Sequence, residues 1–469
     1  MMNKLLSHLL FLTVLLLTLS VGAAEPAIKN VLFVISDDLK ASVLGCYGDQ
    51  VCKTPNIDKL ASEGMVFNRA YCQGTWCKPS RRSFMFSRYQ DTAGINLGEH
   101  FKNNGWYTAR VGKIYHMRVP GDIIDGTDGD DVASSWTERF NSQGQEAHTP
   151  GDYACLNLNI FTDELEGRES TQMPNRMFVY VSTKGDGSDQ PDYKTATQTI
   201  ELLREHKNEP FFIAAGLIRP HYPNVAPEHC FEPYLWQNIK LPETVENDLD
   251  DIPKLGRAKI MNANNPIGKF PDNQKRMWAA YYATVTFMDE QLGRILDELE
   301  RLGLRESTAI MLLSDHGYHL GEHTFWQKQN LHEEVARVPL IVSVPGMKPG
   351  QTDAITELVD IYPTLAELAG LPVPEKVQGI SFVPVLKNPA AAVKTGAISL
   401  HNGVALREKN VAYMRYNDGQ EEFYDMVKDP KQFTNQAANP EYASLLNRMQ
   451  KQLDARIKEE GIQFGKKKK

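Results

Sequence analysis

The chain has 469 residues, 42% of them hydrophobic and 23% charged, enough apolar content for one large core and a smaller companion. Its 51 Lys and Arg against 59 Asp and Glu leave a formal net charge of −8, which argues against a general nucleic-acid binder, whose mark is a basic balance. An anionic ligand would need a locally basic site on an acidic surface.

At the N-terminus, Lys4, an apolar run from Leu9 to Leu17 and the small residues Val21-Gly22-Ala23-Ala24 are laid out as a secretory signal peptide. Residues 1–24 are assigned to it, and the remainder is expected to be exported, periplasmic or secreted. The run is shorter than the roughly 20 residues that cross a bilayer, and no later stretch is long and apolar enough, so no membrane span is expected.

Short apolar runs then alternate with helical patterns, the rhythm of an α/β fold with a largely parallel sheet sandwiched by helices. Val31 to Ile35 leads into Ser36-Asp37-Asp38. Cys77-Lys78-Pro79-Ser80-Arg81 stands before an expected helix start and spells C-x-P-S-R, a pattern that average residue usage produces in a chain this long about once in a thousand sequences. Tyr107 to Val111 leads to Lys113 and His116. Asp125 to Asp192 is acidic and polar and reads as loops, where substrate choice would reside. Phe211 to Ala215 leads to Arg219-Pro220-His221. Trp278 to Leu302 carries apolar residues at spacings of three and four and predicts a long core helix. Ala309 to Leu313 ends in Ser314-Asp315-His316-Gly317, and Val338 to Val344 reads as a buried strand.

After Pro374 the pattern weakens, and a smaller C-terminal α+β unit is expected, with a strand over Val411 to Tyr416 and a helix over Tyr442 to Ile457. The domain reading is 25–385 and 386–469. The last residues, Lys466 to Lys469, form a basic tail expected to be solvated. With Cys77 set aside, five cysteines remain; Cys46 and Cys52 could close a small loop, but pairing does not follow from sequence.

In open α/β sheets ligands bind beyond the carboxyl ends of the strands, so the four polar run ends could converge on one site. Clustered carboxylates there, Asp37, Asp38 and Asp315, suit a hard cation, with His316 as the softer neighbour. His319-Leu320-Gly321-Glu322-His323 matches the H-x-x-E-H zinc pattern, but that chemistry needs a helix and Gly321 disfavours one.

Taken in order, the segments Val34-Ile35-Ser36-Asp37-Asp38, Thr54-Pro55-Asn56-Ile57-Asp58, Cys77-Lys78-Pro79-Ser80-Arg81, Gly112-Lys113-Ile114-Tyr115-His116, Arg219-Pro220-His221, Ser314-Asp315-His316-Gly317, Lys328 and Leu358-Val359-Asp360 resemble the type I sulfatases of the alkaline phosphatase superfamily, and among them the iduronate-2-sulfatase branch. The resemblance spans nearly the whole chain after the signal peptide. It implies that Cys77 is converted to formylglycine by a maturation enzyme and that Asp37, Asp38, Cys77, Asp315 and His316 hold one divalent cation, Ca²⁺. It further implies that Lys113, His221 and Lys328 bind sulfate and that Arg81 steadies the modified residue. His221 would protonate the departing alcohol, with Lys328 as a possible partner, and His116 would take the proton of the second hydroxyl of the hydrated aldehyde. The implied function is an exported sulfatase acting on a sulfated oligo- or polysaccharide, glycosaminoglycan-like or algal. The alternative is a phosphonate monoester or phosphodiester hydrolase of the same superfamily.

Overall fold

The structure is a computed structural model describing residues 28–168 and 172–465; the segment read as a signal peptide and the basic tail lie outside the described residues. Its centre is a nine-stranded sheet. The strands Thr308–Ser314, Asn30–Asp37, Phe211–Pro220, Tyr107–Gly112 and Glu138–Phe140 run parallel in that spatial order. Leu340–Ser343 and Met65–Tyr71 continue the sheet on the other side in antiparallel pairing. This is the mostly parallel sheet expected from the sequence.

A strand alternates its side chains between two faces, and here both faces are covered. From Asn30–Asp37, Leu32 and Val34 enter one apolar cluster with Tyr281, Val285, Met288 and Leu292 of the helix Pro271–Arg301. Val31, Phe33 and Ile35 enter a second cluster with Phe84, Met85, Phe101 and Tyr362. Continuous apolar runs, not alternating ones, are what a doubly covered parallel sheet requires. The segment read as one strand from Val338 to Val344 is split at Pro339, which has no N–H for the ladder: Arg337–Val338 pairs with Tyr71 and Ala70, and Leu340–Ser343 resumes beyond it.

The C-terminal unit is an antiparallel meander, Gly396–Leu400, Gly403–Glu408, Val411–Tyr416 and Glu421–Asp425, with the helix Ala443–Glu459 laid on it through Met449 and Leu453. It docks on the large sheet through the Leu400 N–H to the Gln73 carbonyl (2.9 Å) and through Lys394, which bridges Asp360 (2.5 Å) and Glu357. Among the described residues no helix is long and apolar enough to cross a membrane.

Candidate active site

The four parallel central strands end on one side of the sheet, which brings Asp37-Asp38, Asp315-His316, Lys113 and His221 together. Gly112 and Gly216 face each other there. Gly112 has φ +70, and a Cβ on Gly216 would stand 2.2 Å from the Lys113 carbonyl oxygen, so only glycine admits this approach.

Cys77 is the first residue of the helix Cys77–Phe86, one position earlier than the sequence suggested, and is 2% exposed. Its Sγ lies 3.2 Å from Lys328 Nζ, 3.4 Å from His316 Nε2 and 3.4 Å from Asp37 Oδ1. One helical turn on, the fully buried Arg81 donates to Asp315 Oδ2 (2.7 Å) and to the carbonyls of Lys113 (2.5 Å) and Ile114 (3.0 Å), and stands 3.3 Å from Asp37 Oδ1. A single guanidinium therefore fixes three strand ends relative to the Cys77 helix. Ser80 adds a hydroxyl bond to the Asp315 carbonyl (2.5 Å).

Lys113 pairs with Asp37, and Lys328 with Asp38 (2.5 Å). Burial alone would raise the Asp37 carboxyl, but Lys113 and Arg81 hold it well below the usual range. Burial pushes Asp38 up to about 7 against the pull of Lys328, with Asp37 adding to the rise. For the Cys77 thiol, burial and Asp37 act upward, yet Lys328 and Lys113 outweigh them and lower it. His316 is raised to about 9 in spite of burial, chiefly by Asp315. Its Nδ1 meets the Gly317 carbonyl (2.9 Å), which assigns the proton there and turns Nε2 toward Cys77.

His221 is held in the same way, Nδ1 on the Tyr222 carbonyl (2.6 Å), with Nε2 pointing to Asp38 Oδ2 at 3.8 Å. His116 lines the same cleft as Cys77, His221 and Lys328 and stands edge-on to Trp76, with ring centroids 5.9 Å apart. Burial and Lys113 lower its pKa to about 4.

The residues fit a hard cation. Ligand atoms of Asp37, Cys77, Asp315 and His316 lie within 4.8 Å of one another, as do those of Asp37, Asp38, Cys77 and His221. Asp38 Oδ2 is buried without a hydrogen-bond partner, an orphaned acceptor that an ion would satisfy. The H-x-x-E-H string forms no such site. His319 lies in a two-residue strand and His323 has φ 53; His323 bonds Asp248 (2.9 Å) and Glu322 bonds Lys40. Cys46 and Cys52 do not pair with each other; both are free thiols, as are Cys72 and Cys230.

Several supporting residues escaped the sequence reading. Asp192 accepts from the Ile218 N–H (2.7 Å) and the Arg219 N–H (2.9 Å), fixing the turn that carries His221. Arg219 pairs with the buried Glu146 (3.1 Å). Tyr281 hydroxyl donates to the Asp38 carbonyl (2.5 Å). Within the acidic segment, Asp128 and Asp131 pair with Arg110 (2.8 and 3.1 Å), and Asp130 with Lys78 (2.8 Å).

The sequence profile of the sulfatase family matches residues 29–371. The chain belongs to the sulfatase family. Residues 321–459 also match the profile of the C-terminal region of N-sulphoglucosamine sulphohydrolase. Human iduronate 2-sulfatase is 33% identical over 415 residues, 75% of this chain and 71% of that one. A sulfatase of Formosa agariphila is 31% identical over 451 residues, 88% of this chain and 84% of its own. Among solved structures, BT4656 in complex with its substrate D-glucosamine-2-N,6-O-disulfate has a TM-score of 0.73 at 20% identity, covering 94% of this chain and 100% of that chain. The phosphonate monoester hydrolase of Agrobacterium radiobacter has a TM-score of 0.76 at 20% identity, covering 92% and 96%. At such identity these two matches speak for the fold alone. As a sulfatase, the protein is a sulfuric ester hydrolase, and Cys77 sits where its sheet, its Cys77 helix and its cationic side chains meet.

Proposed function

We propose that this sulfatase is exported, that a maturation enzyme converts Cys77 to formylglycine, and that it hydrolyses sulfate esters of a glycosaminoglycan-like or algal carbohydrate. The observation that carries the reading is the convergence of Lys328, His316 and Asp37 on Cys77 Sγ at 3.2 to 3.4 Å. Two relatives support a carbohydrate substrate by what is known of them, one an iduronate 2-sulfatase and one an N-acetylglucosamine-6-O-sulfatase.

A hydrated formylglycine supplies an oxygen nucleophile and a second hydroxyl through which the residue regenerates. Asp37, Asp38, Asp315 and His316, with residue 77, would hold a Ca²⁺, and the ion when bound would supply Lewis acidity for the nucleophile and the ester oxygens. Lys328, against residue 77, and Lys113, paired with the adjoining Asp37, bind the anionic sulfuryl oxygens, strengthening as charge shifts in the transition state. The N–H groups at the start of the Cys77 helix add to that field. His116, neutral at pH 7 by its low pKa, is in its proton-accepting form. Burial and Lys328 hold His221 well below the ordinary histidine range in the free enzyme, so its protonation follows from seating an anion beside Lys328.

The test compares nitrophenyl sulfate with a nitrophenyl phosphonate monoester, with and without a chelator. The sulfate should be preferred, and the chelator should abolish its turnover until Ca²⁺ is returned. Preference for the phosphonate would favour the hydrolase alternative instead.

His221→Ala separates proton donation from sulfate binding. A sugar leaves as a basic alkoxide and needs the proton, whereas nitrophenolate does not. The variant should slow release from a sulfated sugar by about a hundredfold and from the aryl sulfate far less. Equal losses of kcat on both would move the acid to Lys328 or His116.

A further inference from the structure

The cleft above Cys77 has a volume of about 490 Å³, and among the described residues no carboxylate lines it. Its outer wall carries Arg118, Arg176 and Lys259, while Lys328 lies at its floor. Arg118 is engaged by Asp122 (2.7 Å). Arg176 is not engaged by any carboxylate among the described residues. It sits in the short 3-10 turn Asn175–Phe178, half-buried, and its Nε is buried without a hydrogen-bond partner. Its guanidinium carbon is 6.0 Å from the centre of the Tyr222 ring, and Lys328 Nζ is 5.7 Å from the same centre. Gln327 donates to the Tyr222 hydroxyl (2.6 Å), which holds in place the ring that both cations approach.

Elsewhere in this part of the molecule cations are paired: Arg110 with Asp128 and Asp131, Arg219 with Glu146, and Lys78 with Asp130. Leaving a guanidinium N–H buried and unpaired costs free energy, and in a chain of net charge −8 a carboxylate partner would be easy to supply. The cost is recovered when a ligand brings the missing acceptor. A planar fork one aromatic ring away from the sulfate-binding lysine suits a carboxylate or a sulfate, each of which can accept two parallel N–H bonds.

We propose that Arg176, with Lys259 at the rim, binds a second anionic group of the substrate, so that the preferred substrate is a sulfated sugar carrying a further carboxylate or sulfate on the same or the adjoining ring. This rests on the sulfated-carbohydrate reading given above.

The experiment uses matched pairs: a hexose 2-sulfate against the corresponding uronate 2-sulfate, and a glucosamine monosulfate against its disulfate. The wild type should favour at least one doubly anionic member, and which pair responds distinguishes carboxylate from sulfate. Arg176→Ala should cut kcat/KM for that member by roughly 10- to 100-fold, the scale of hydrogen bonds to a charged group, mainly through KM, and affect the singly charged member much less. Arg176→Lys should recover only part, because it keeps charge but loses the fork. The wild-type preference should also shrink as salt rises, a reading that needs no variant. Equal kcat/KM within both wild-type pairs, or equal loss by Arg176→Ala on every substrate, would overturn the proposal while leaving sulfated carbohydrates as substrates. If nitrophenyl sulfate is turned over but no sulfated sugar is, the carbohydrate reading fails and this inference falls with it.

Discussion

Cys77→Ala should fold normally and release no measurable sulfate, a loss of roughly 10⁴-fold or more in kcat, as for removal of other covalent nucleophiles. The side chain is small, and its sulfur makes only the 3.2 to 3.4 Å contacts to Lys328, His316 and Asp37, so its deletion should cost about 1 kcal/mol of stability. The helix start and the Arg81 anchor do not depend on it. Comparing circular dichroism, thermal unfolding and sulfate release for the two proteins checks this, together with mass spectrometry of the Cys77 peptide of the active form. Wild-type turnover in the variant would remove residue 77 from the chemistry.

Arg81→Leu should damage both stability and activity. The guanidinium is wholly buried and compensates Asp315 and Asp37 while satisfying two backbone carbonyls. Removing one partner of a buried ion network costs about 3–5 kcal/mol, because Asp315 loses its guanidinium and Asp37 keeps only Lys113. The sign of the pH dependence follows from Asp37. Its carboxyl is held below the usual range in the fold, so the stabilisation it reports is present above the ordinary aspartate range and is lost as pH falls through the lower, folded value. The stability deficit of Arg81→Leu should therefore be full at neutral pH and narrow in acid, measured as denaturant midpoints across pH. Arg81→Lys should not rescue it, since one ammonium cannot reach both carboxylates and both carbonyls. Equal stability of Arg81→Leu and wild type at pH 7 would contradict the anchoring role.

The strand ends were legible in the sequence because a doubly covered parallel strand must be apolar throughout, so the first ionisable residues after each run mark the place where the sheet stops. That is why Asp37, Lys113, His221 and Asp315 could be named together. The long helix was seen from Trp278, whereas it starts at Pro271, because its first turns, Asp272 to Arg276, carry no apolar stripe. Asp192 sits in the first turn of the helix Pro191–Glu205 and looks like an N-terminal acid, yet its carboxylate serves two N–H groups 26 and 27 residues on. The acidic residues Asp128, Asp130 and Asp131 read as a charged loop over the pocket, but their partners Arg110, Arg139 and Lys78 are set by tertiary contact. Arg176 lies in a stretch without periodicity, and what distinguishes it is that no carboxylate among the described residues pairs with it, which only the fold reveals.

The 2% exposure of Cys77 and its place inside a helix also set an order of events. A helical residue packed against Lys328, His316 and Asp37 offers a second enzyme neither an extended backbone nor a path to its sulfur. If residue 77 is converted as proposed, conversion would have to happen while the segment is still an open chain, before the sheet closes over it. On that proposal a molecule that folds first would be well packed but inert, and yield of folded protein and yield of active protein would be separate quantities, set by a race between modification and folding.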